Sequence, residues 1–401
     1  MRNSGKANIG KEIAEIVAAT YSNINDVCRT RKLHLLNPAA ADIYARECQG
    51  ASTLIDRVVA HILDPGIVAK TDFSIGEKRK QCGSKRLSLS VPRLGWKLIA
   101  ICVHAEAFRR ACKEAGDVVW NGVVDQIDVN RSSIEIFARI RNLDWRGPLL
   151  MHSRYLLRDL QREFAPYRKL YHEHPHHYVR TRDRELRWPM YGNHRQKHID
   201  ACVFDANDWK RKENKEGLVV DPTRRRYQDG VCESCFREGK CACRPDSHAR
   251  QLVELREYPV RGIGVRALAN FKKGDILDEF VGLIKPTDYQ DHKYAITIDA
   301  GREAKDGVFI SPKRFGNWTR FINHSCDAAA EFKRMTVGDR VVIAVIATRD
   351  IFLFEEITVN YGEDYWAFRM CECGAPNCLT LMKALAAGES LPSPCTTESS
   401  G

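Results

Sequence analysis

The sequence predicts an α+β protein whose two parts differ in kind, a basic and mainly helical N-terminal region followed by a β-rich domain of many short strands. Three observations carry this. Apolar residues recur at helical spacing within the first 115 residues. From residue 231 onward, short Val, Ile, Leu and Phe runs at 260–268, 276–284, 294–299, 307–310 and 341–347 alternate with Gly, Pro, Asp and Asn, the texture of strands and turns. The charge divides in the same place: residues 1–230 carry 41 Lys and Arg against 28 Asp and Glu, and residues 231–401 carry 22 against 24.

At 401 residues and 44% hydrophobic content the chain can bury two or three cores. No run approaches the ~18 consecutive apolar residues of a membrane-spanning helix, and Met1-Arg-Asn-Ser-Gly-Lys6 leads into mixed polar sequence without the apolar stretch of a signal peptide. A reducing compartment follows as the expectation. Seven of the fifteen cysteines cluster, at Cys232, Cys235, Cys241, Cys243, Cys371, Cys373 and Cys378. In a reducing compartment such clustering favours metal over disulfides.

Within the N-terminal region, Ile9, Ile13, Ile16, Val17 and Ala19 predict a helix over 8–22. A second is expected over 51–62, stopped by Asp64-Pro65-Gly66, and a third over 96–115, where Leu98, Ile101, Cys102, Ala105, Phe108 and Cys112 form an apolar stripe. These stripes read as core. Residues 76–93, polar and basic with little periodicity, read as an exposed loop, and the scattered Cys28, Cys48, Cys82, Cys102 and Cys112 as buried thiols. Between 151 and 200 lie seven of the thirteen histidines. Pro175 interrupts the run Tyr171–Tyr178, and no thiol or carboxylate completes a ligand set, so a basic, aromatic-rich contact surface for nucleic acid or histone tails is the preferred reading over metal. Residues 207–230, with Lys210-Arg-Lys212 and Arg224-Arg-Arg226, read as a charged linker closing the region 1–230. A Cys-rich segment at 231–250, a β-rich domain at 251–364, a second Cys-rich segment at 365–385 and a flexible tail at 386–401 complete the expected organisation.

The chemistry concentrates in the second part. Cys371-x-Cys373-x4-Cys378 places three thiols around a turn made by Gly374, Pro376 and Asn377, and Cys326 is the natural fourth ligand of a closed zinc site. Cys232-x2-Cys235-x5-Cys241-x-Cys243 is a second candidate metal loop, with a thiol-rich turn as the alternative. Arg261-Gly262-Ile263-Gly264-Val265 would let backbone approach a ligand closely. Gly316–Cys326 ends in Asn323-His324-Ser325-Cys326, and Glu356-Ile-Thr-Val-Asn-Tyr-Gly362 follows.

Taken in order, Arg261–Val265, Gly316–Cys326, Ile357–Gly362 and the terminal cysteines resemble the cofactor loop, Asn-His motif, tyrosine motif and post-SET zinc motif of SET-domain protein lysine methyltransferases. The resemblance covers roughly residues 250–382. It implies a β-rich SET domain in which 320–326 is threaded by 357–362 as a pseudoknot, against the usual rule for chain connections. It implies S-adenosylmethionine as methyl donor and zinc as structural metal. Arg261, Gly262, Ile263, Gly264, Tyr294, Asn323 and His324 would contact the cofactor, Tyr361 would be catalytic, and Cys326, Cys371, Cys373 and Cys378 would hold zinc. Phe280, Ile296 and Val359 would line a lysine channel poor in hydroxyls, favouring di- or trimethylation. The nine-cysteine pre-SET cluster of one histone methyltransferase branch is missing. The resemblance thus implies a nuclear, chromatin-directed enzyme acting on a histone, with nucleic acid or nucleosome contact through the basic half and no membrane. A non-histone substrate, or an inactive SET-like chromatin-binding module, are the alternatives.

Overall fold

The computed structural model describes residues 2–63, 75–150, 179–182, 186–191, 194–209, 220–226, 229–245, 249–286, 294–298, 308–362, 364–366 and 370–387. The Tyr171–Tyr178 histidine run and the tail beyond 387 lie outside them. The chain divides into two compact units, Met1–Leu186 with Leu268–Asn270, and Arg187–Ala267 with Phe271–Gly401.

The first unit is helical, with helices at Arg2–His34, Pro38–Leu63, Ile75–Cys102, Glu106–Glu114, Asp117–Val129, Arg131–Ile140 and Gly147–Leu150 among the described residues. The second helix starts where the chain chemistry allows it. Asn37 Oδ1 accepts from Ala39 N–H at 3.0 Å as a cap, and Pro38, which has no N–H to satisfy, takes the first position. It buries Ala51, Leu54, Ile55, Val58 and Val59, one face at helical spacing.

Residues 76–93, expected as a loop, are helical. Leu87, Ser90 and Leu94 are buried, and the hydroxyls of Ser84 and Ser90 donate back to Lys80 O and Arg86 O within the helix. The polar residues cover a helix whose narrow apolar stripe was too sparse to register as a period. Gly95, at φ 77°, breaks the helix locally, and the expected 96–115 helix is two helices interrupted at Val103–Ala105. Of the cysteines expected to be buried, Cys28, Cys102 and Cys112 are, whereas Cys48 is half-buried and Cys82 exposed. No helix is long and apolar enough to cross a membrane among the described residues.

The second unit is built of short strands. Val253–Tyr258 and Gly262–Ala267 form an antiparallel hairpin, and Gly262–Ala267 pairs in turn with Glu356–Val359. Ala330–Val337 and Arg340–Ala347 form an eight-pair hairpin turning at Gly338, φ 67°, and Arg340–Ala347 pairs with Ile276–Glu279. Of the unbroken apolar run Val341–Ile346, expected as a fully buried strand, Val341–Val345 are buried and Ile346 is half-buried. A second sheet joins Leu283–Lys285, Val308–Ser311 and Ile296–Ile298, with Val203–Phe204 parallel at its edge. Lys197–His198 likewise pairs with Phe315–Gly316. The second unit therefore begins upstream of residue 230, since strands two residues long leave no trace in a charge count.

A buried ionic knot fixes the segment that leads to the site. Asp278, 1% exposed, accepts from Arg250 Nη2 at 2.8 Å and from Trp318 Nε1 at 2.7 Å. Trp318 is fully buried and opens the 3-10 turn Trp318–Phe321, capped by Asn317 Oδ1 accepting from Thr319 N–H. That turn delivers Asn323.

The neighbouring Glu279 is 7% exposed, and burial pushes its carboxyl up to about 7, against the opposing pull of Arg340. Because the folded state then holds a proton the unfolded state releases, this group contributes stability below about pH 4.5 that is lost as pH rises to about 7. Glu279→Gln is expected to match the wild type at pH 4.5 and to exceed it by up to about 3 kcal/mol above pH 7, at 1.36 kcal/mol per unit. Urea melts across that range test it, and parallel wild-type and variant profiles would overturn the assignment.

Candidate active site

The strand Asn323–His324 lies parallel to Glu356–Val359, with Asn323 opposite Thr358 and His324 opposite Val359. Ser325 N–H extends the pairing to Val359 O at 3.0 Å. The two polar motifs, far apart in sequence, are thus placed side by side against the hairpin that carries Gly262 and Gly264.

At that junction a ligand cradle is visible. A Cβ on Gly264 would lie 2.6 Å from Asn323 Nδ2, 2.6 Å from Glu356 Oε1 and 2.8 Å from Tyr258 Cδ2. Those groups are held, because Asn323 Nδ2 donates to Glu356 Oε1 at 2.9 Å and Arg261 pairs with Glu356 Oε2 at 2.7 Å. Burial raises the Glu356 carboxyl, with the Asn323 bond and Arg261 working against it. Gly262, at φ 72°, and Val260, at φ 66°, make the tight turn before it. Two buried donors close by lack a partner among the described residues, Tyr258 Oη and Trp366 Nε1. The Trp366 ring lies 4.7 Å from that of His324. Unsatisfied buried polar atoms beside a backbone that tolerates no side chain fit a polar ligand.

Beside the cradle is a cavity of about 320 Å³, walled by Phe280, Ile296, Ile322, Phe332 and the aromatic rings of Tyr294, Tyr361 and Tyr365, with Arg320 among the lining groups. Tyr361 donates its hydroxyl to Ile322 O at 2.6 Å and its backbone N–H to His324 Nδ1 at 3.1 Å. Burial, and then the neighbouring Tyr365, hold the Tyr361 phenol well above its ordinary value, so it stays protonated. Since His324 Nδ1 accepts, a neutral ring carries its proton on Nε2, which faces Cys326 Sγ at 3.3 Å. Burial lowers the His324 pKa, favouring that neutral ring.

The cysteines gather into two groups. His324, Cys326, Cys371 and Cys373 have ligand atoms all within 4.8 Å of one another, as do Cys232, Cys235, Cys241 and Cys243. Cys378 sits at the margin of the first, its thiol donating to Cys371 O at 3.4 Å. Burial pushes Cys373 up, but N–H groups of Cys326 and Ala375 and the adjacent thiols outweigh it and leave it at about 7. At Cys232 burial is likewise outweighed, by the N–H groups of Gly338, Ser234 and Cys235, and the thiol falls to about 6. Both sets suit a thiolate-loving divalent ion such as zinc.

The sequence-predicted residues distribute as follows. Arg261, Gly262, Ile263 and Gly264 run along the cradle, where Asn323 sits beside Gly264, and His324 joins it to the cysteines. Tyr361, Phe280 and Ile296 line the cavity. So does Tyr294, at φ 67° with the Arg320 guanidinium 5.0 Å over its ring. Val359 is fully buried in its strand and does not line the cavity. Arg320, Phe332 and Tyr365 were not anticipated. The only signal for Tyr365 was the adjacent pair Tyr365-Trp366, and Phe332 hid in the charged run Glu331-Phe-Lys-Arg334.

Over 217 residues the chain is 25% identical to a protein of Cryptococcus neoformans named histone-lysine N-methyltransferase, H3 lysine-36 specific, covering 45% of this chain and 25% of that one. The equivalently named human protein is 32% identical over 150 residues, covering 32% of this chain and 5% of that one. The chain therefore spans a quarter or less of the length of these two relatives. A crystal structure of KRYPTONITE in complex with mCHG DNA and SAH aligns with a TM-score of 0.36 and 20% identity, covering half of each chain. The SET domain family matches residues 262–362, which contain the cradle, Asn323-His324 and Tyr361, and this chain carries a SET domain.

Proposed function

We infer that the protein transfers methyl groups from S-adenosylmethionine to a lysine ε-amine of a protein, with a histone as the substrate class. The observation that carries this is the junction of the Gly264 cradle with the aromatic cavity at which the Tyr361 hydroxyl is fixed. The relatives are named for histone H3, so H3 is the first substrate to test, and a chromatin-directed, nuclear role follows from that substrate.

S-adenosylmethionine, when bound, supplies a methyl group on a positively charged sulfonium. Gly264 would give its backbone the room to lie in the cradle, with Arg261, Ile263 and Asn323 along its edge and His324 beside it. The acceptor lysine, with an ordinary pKa of about 10.4, must lose a proton before its lone pair can attack. Phe280, Ile296, Ile322 and Phe332 strip water from the ammonium, and Arg320 adds like-charge repulsion from the same cavity, so both effects lower its pKa. Tyr361 stays protonated and acts by position, its oxygen orienting the amine while its O–H stays donated to Ile322 O. No strong base is required. Alignment of donor and acceptor then provides the larger share, for which about 7–11 kcal/mol is available in well-oriented systems.

For the C-terminal metal site we assign Cys326, Cys371, Cys373 and Cys378. His324 is excluded as a ligand because Nδ1 is taken by Tyr361 N–H and Nε2 carries the proton. The second zinc belongs to Cys232, Cys235, Cys241 and Cys243. Incubation with labelled cofactor and core histones is expected to label H3, and Tyr361→Phe to lower kcat about 10²-fold, roughly 2.7 kcal/mol, with cofactor affinity unchanged. A folded, zinc-loaded wild type that labels no histone and no lysate protein would overturn the reading.

A further inference from the structure

The loop of the second cysteine group presents an aromatic ring outward at a conformational cost. Phe236 follows Cys235, and its N–H donates to Cys232 O at 2.7 Å, a bond that drives its φ to 57°. Glycine takes that left-handed conformation freely, whereas a bulky residue is strained in it, by roughly 1 kcal/mol or more. The ring gains no burial in return, being 77% exposed.

The backbone beneath it is held firmly. Arg225 donates to the carbonyls of Gly230 at 2.6 Å, Arg237 at 3.1 Å and Gly239 at 2.9 Å, and Gly338 N–H donates to Cys232 Sγ at 3.3 Å. Around Phe236 the exposed charged side chains are Arg237, Lys240 and Arg244, none ion-paired among the described residues, and the acids Glu233 and Glu238. Glu233 is engaged by Thr336 N–H at 2.7 Å. Arg244 also lines a cavity of about 780 Å³ that adjoins Cys241 and Cys243; of its four acids Asp200, Asp278, Glu279 and Asp339, the first two are bonded to Arg250 and Asp339 to Arg224, and Arg340 is a further cation in the lining.

We propose that this cysteine loop is a single-stranded nucleic-acid contact, Phe236 stacking on an unpaired base while Arg237, Lys240 and Arg244 meet the phosphates. A fixed loop with one exposed ring amid exposed cations matches how single strands are held without sequence reading, by stacking plus backbone charge. A duplex offers no free base face. The surface is separate from the methyl-transfer site and does not depend on that activity.

The test uses the full, zinc-loaded chain and a short labelled RNA of mixed sequence, followed by fluorescence anisotropy across salt concentrations. Phe236→Gly relieves the backbone strain and is expected to keep zinc content and melting temperature, yet to weaken single-strand binding about tenfold while leaving affinity for the matching duplex unchanged. Lys240→Ala is expected to flatten the salt dependence by about 0.7 in log–log slope, one phosphate contact on a single strand. Absence of wild-type binding at physiological salt overturns the proposal, as does equal single-strand affinity of wild type and Phe236→Gly. Loss of affinity by Phe236→Gly for a poly-glutamate peptide but not for RNA also overturns it and gives the loop to an acidic protein partner.

Discussion

Gly264→Val is expected to abolish methyl transfer, lowering kcat/KM by at least about 10³-fold, roughly 4 kcal/mol. The cause is space. The first added carbon alone falls 2.6 Å from Asn323 Nδ2 and from Glu356 Oε1, closer than real side-chain carbons approach. Neither neighbour is free to swing aside, since they bond each other and Glu356 also holds Arg261. The branched side chain must therefore either push the Asn323 segment away from its strand partner or project into the volume where the cofactor would lie. Gly264→Ala should lose less, because one methyl demands a smaller shift. Calorimetric titration with S-adenosylmethionine is the deciding measurement. A folded Gly264→Val protein that retains wild-type cofactor affinity would show that the cradle is not the cofactor site.

Cys326→Ser should strike two sites at once. Its thiol faces Cys371 Sγ at 3.9 Å and accepts from Leu379 N–H at 3.4 Å, its N–H approaches Cys373 Sγ at 3.5 Å, and its carbonyl accepts from Asn377 Nδ2 at 3.0 Å. Two residues earlier, His324 holds Tyr361 N–H. This stretch therefore ties the C-terminal cysteines to the strand that positions the tyrosine. A structural zinc site is worth on the order of 10 kcal/mol of folding free energy, and losing one thiolate forfeits several of these. Zinc content is expected to fall from about two ions per chain to about one, with cofactor affinity falling alongside. If metal analysis shows the zinc lost while cofactor affinity is unchanged, the proposed coupling through Asn323-His324 is wrong. An unchanged zinc content would remove Cys326 from the ligand set.

Much of the site was legible because its pieces are short and chemically unusual. Asn323-His-Ser-Cys326, the Gly-x-Gly of 262–264 and the Cys371–Cys378 spacing each demand particular residue types, and a side-chain-free backbone, a tautomer-fixed ring or a thiolate leaves a local mark. Residues whose role depends only on where the fold brings them left no such mark. Arg320 and Phe332 drew no reading from the sequence, and only the pairing of distant strands sets both against the cavity of Tyr361. Val359 shows the reverse. The resemblance placed it in the lysine channel with Tyr361, yet the strand ends at Val359, before Tyr361, and pairing with His324 and Ala330 holds Val359 fully buried in the sheet.

The same division holds for the whole chain. The sequence alone determined the change from helical to strand texture, the buried strand Val341–Val345 and the grouping of thiols, because these follow from local periodicity and spacing. Only the tertiary structure decided that 76–93 is helix, that Lys197–His198 and Val203–Phe204 serve the second unit, and that the imidazole of His324 faces the cysteines. Those outcomes depend on contacts between residues far apart in sequence, whose energies no local window contains.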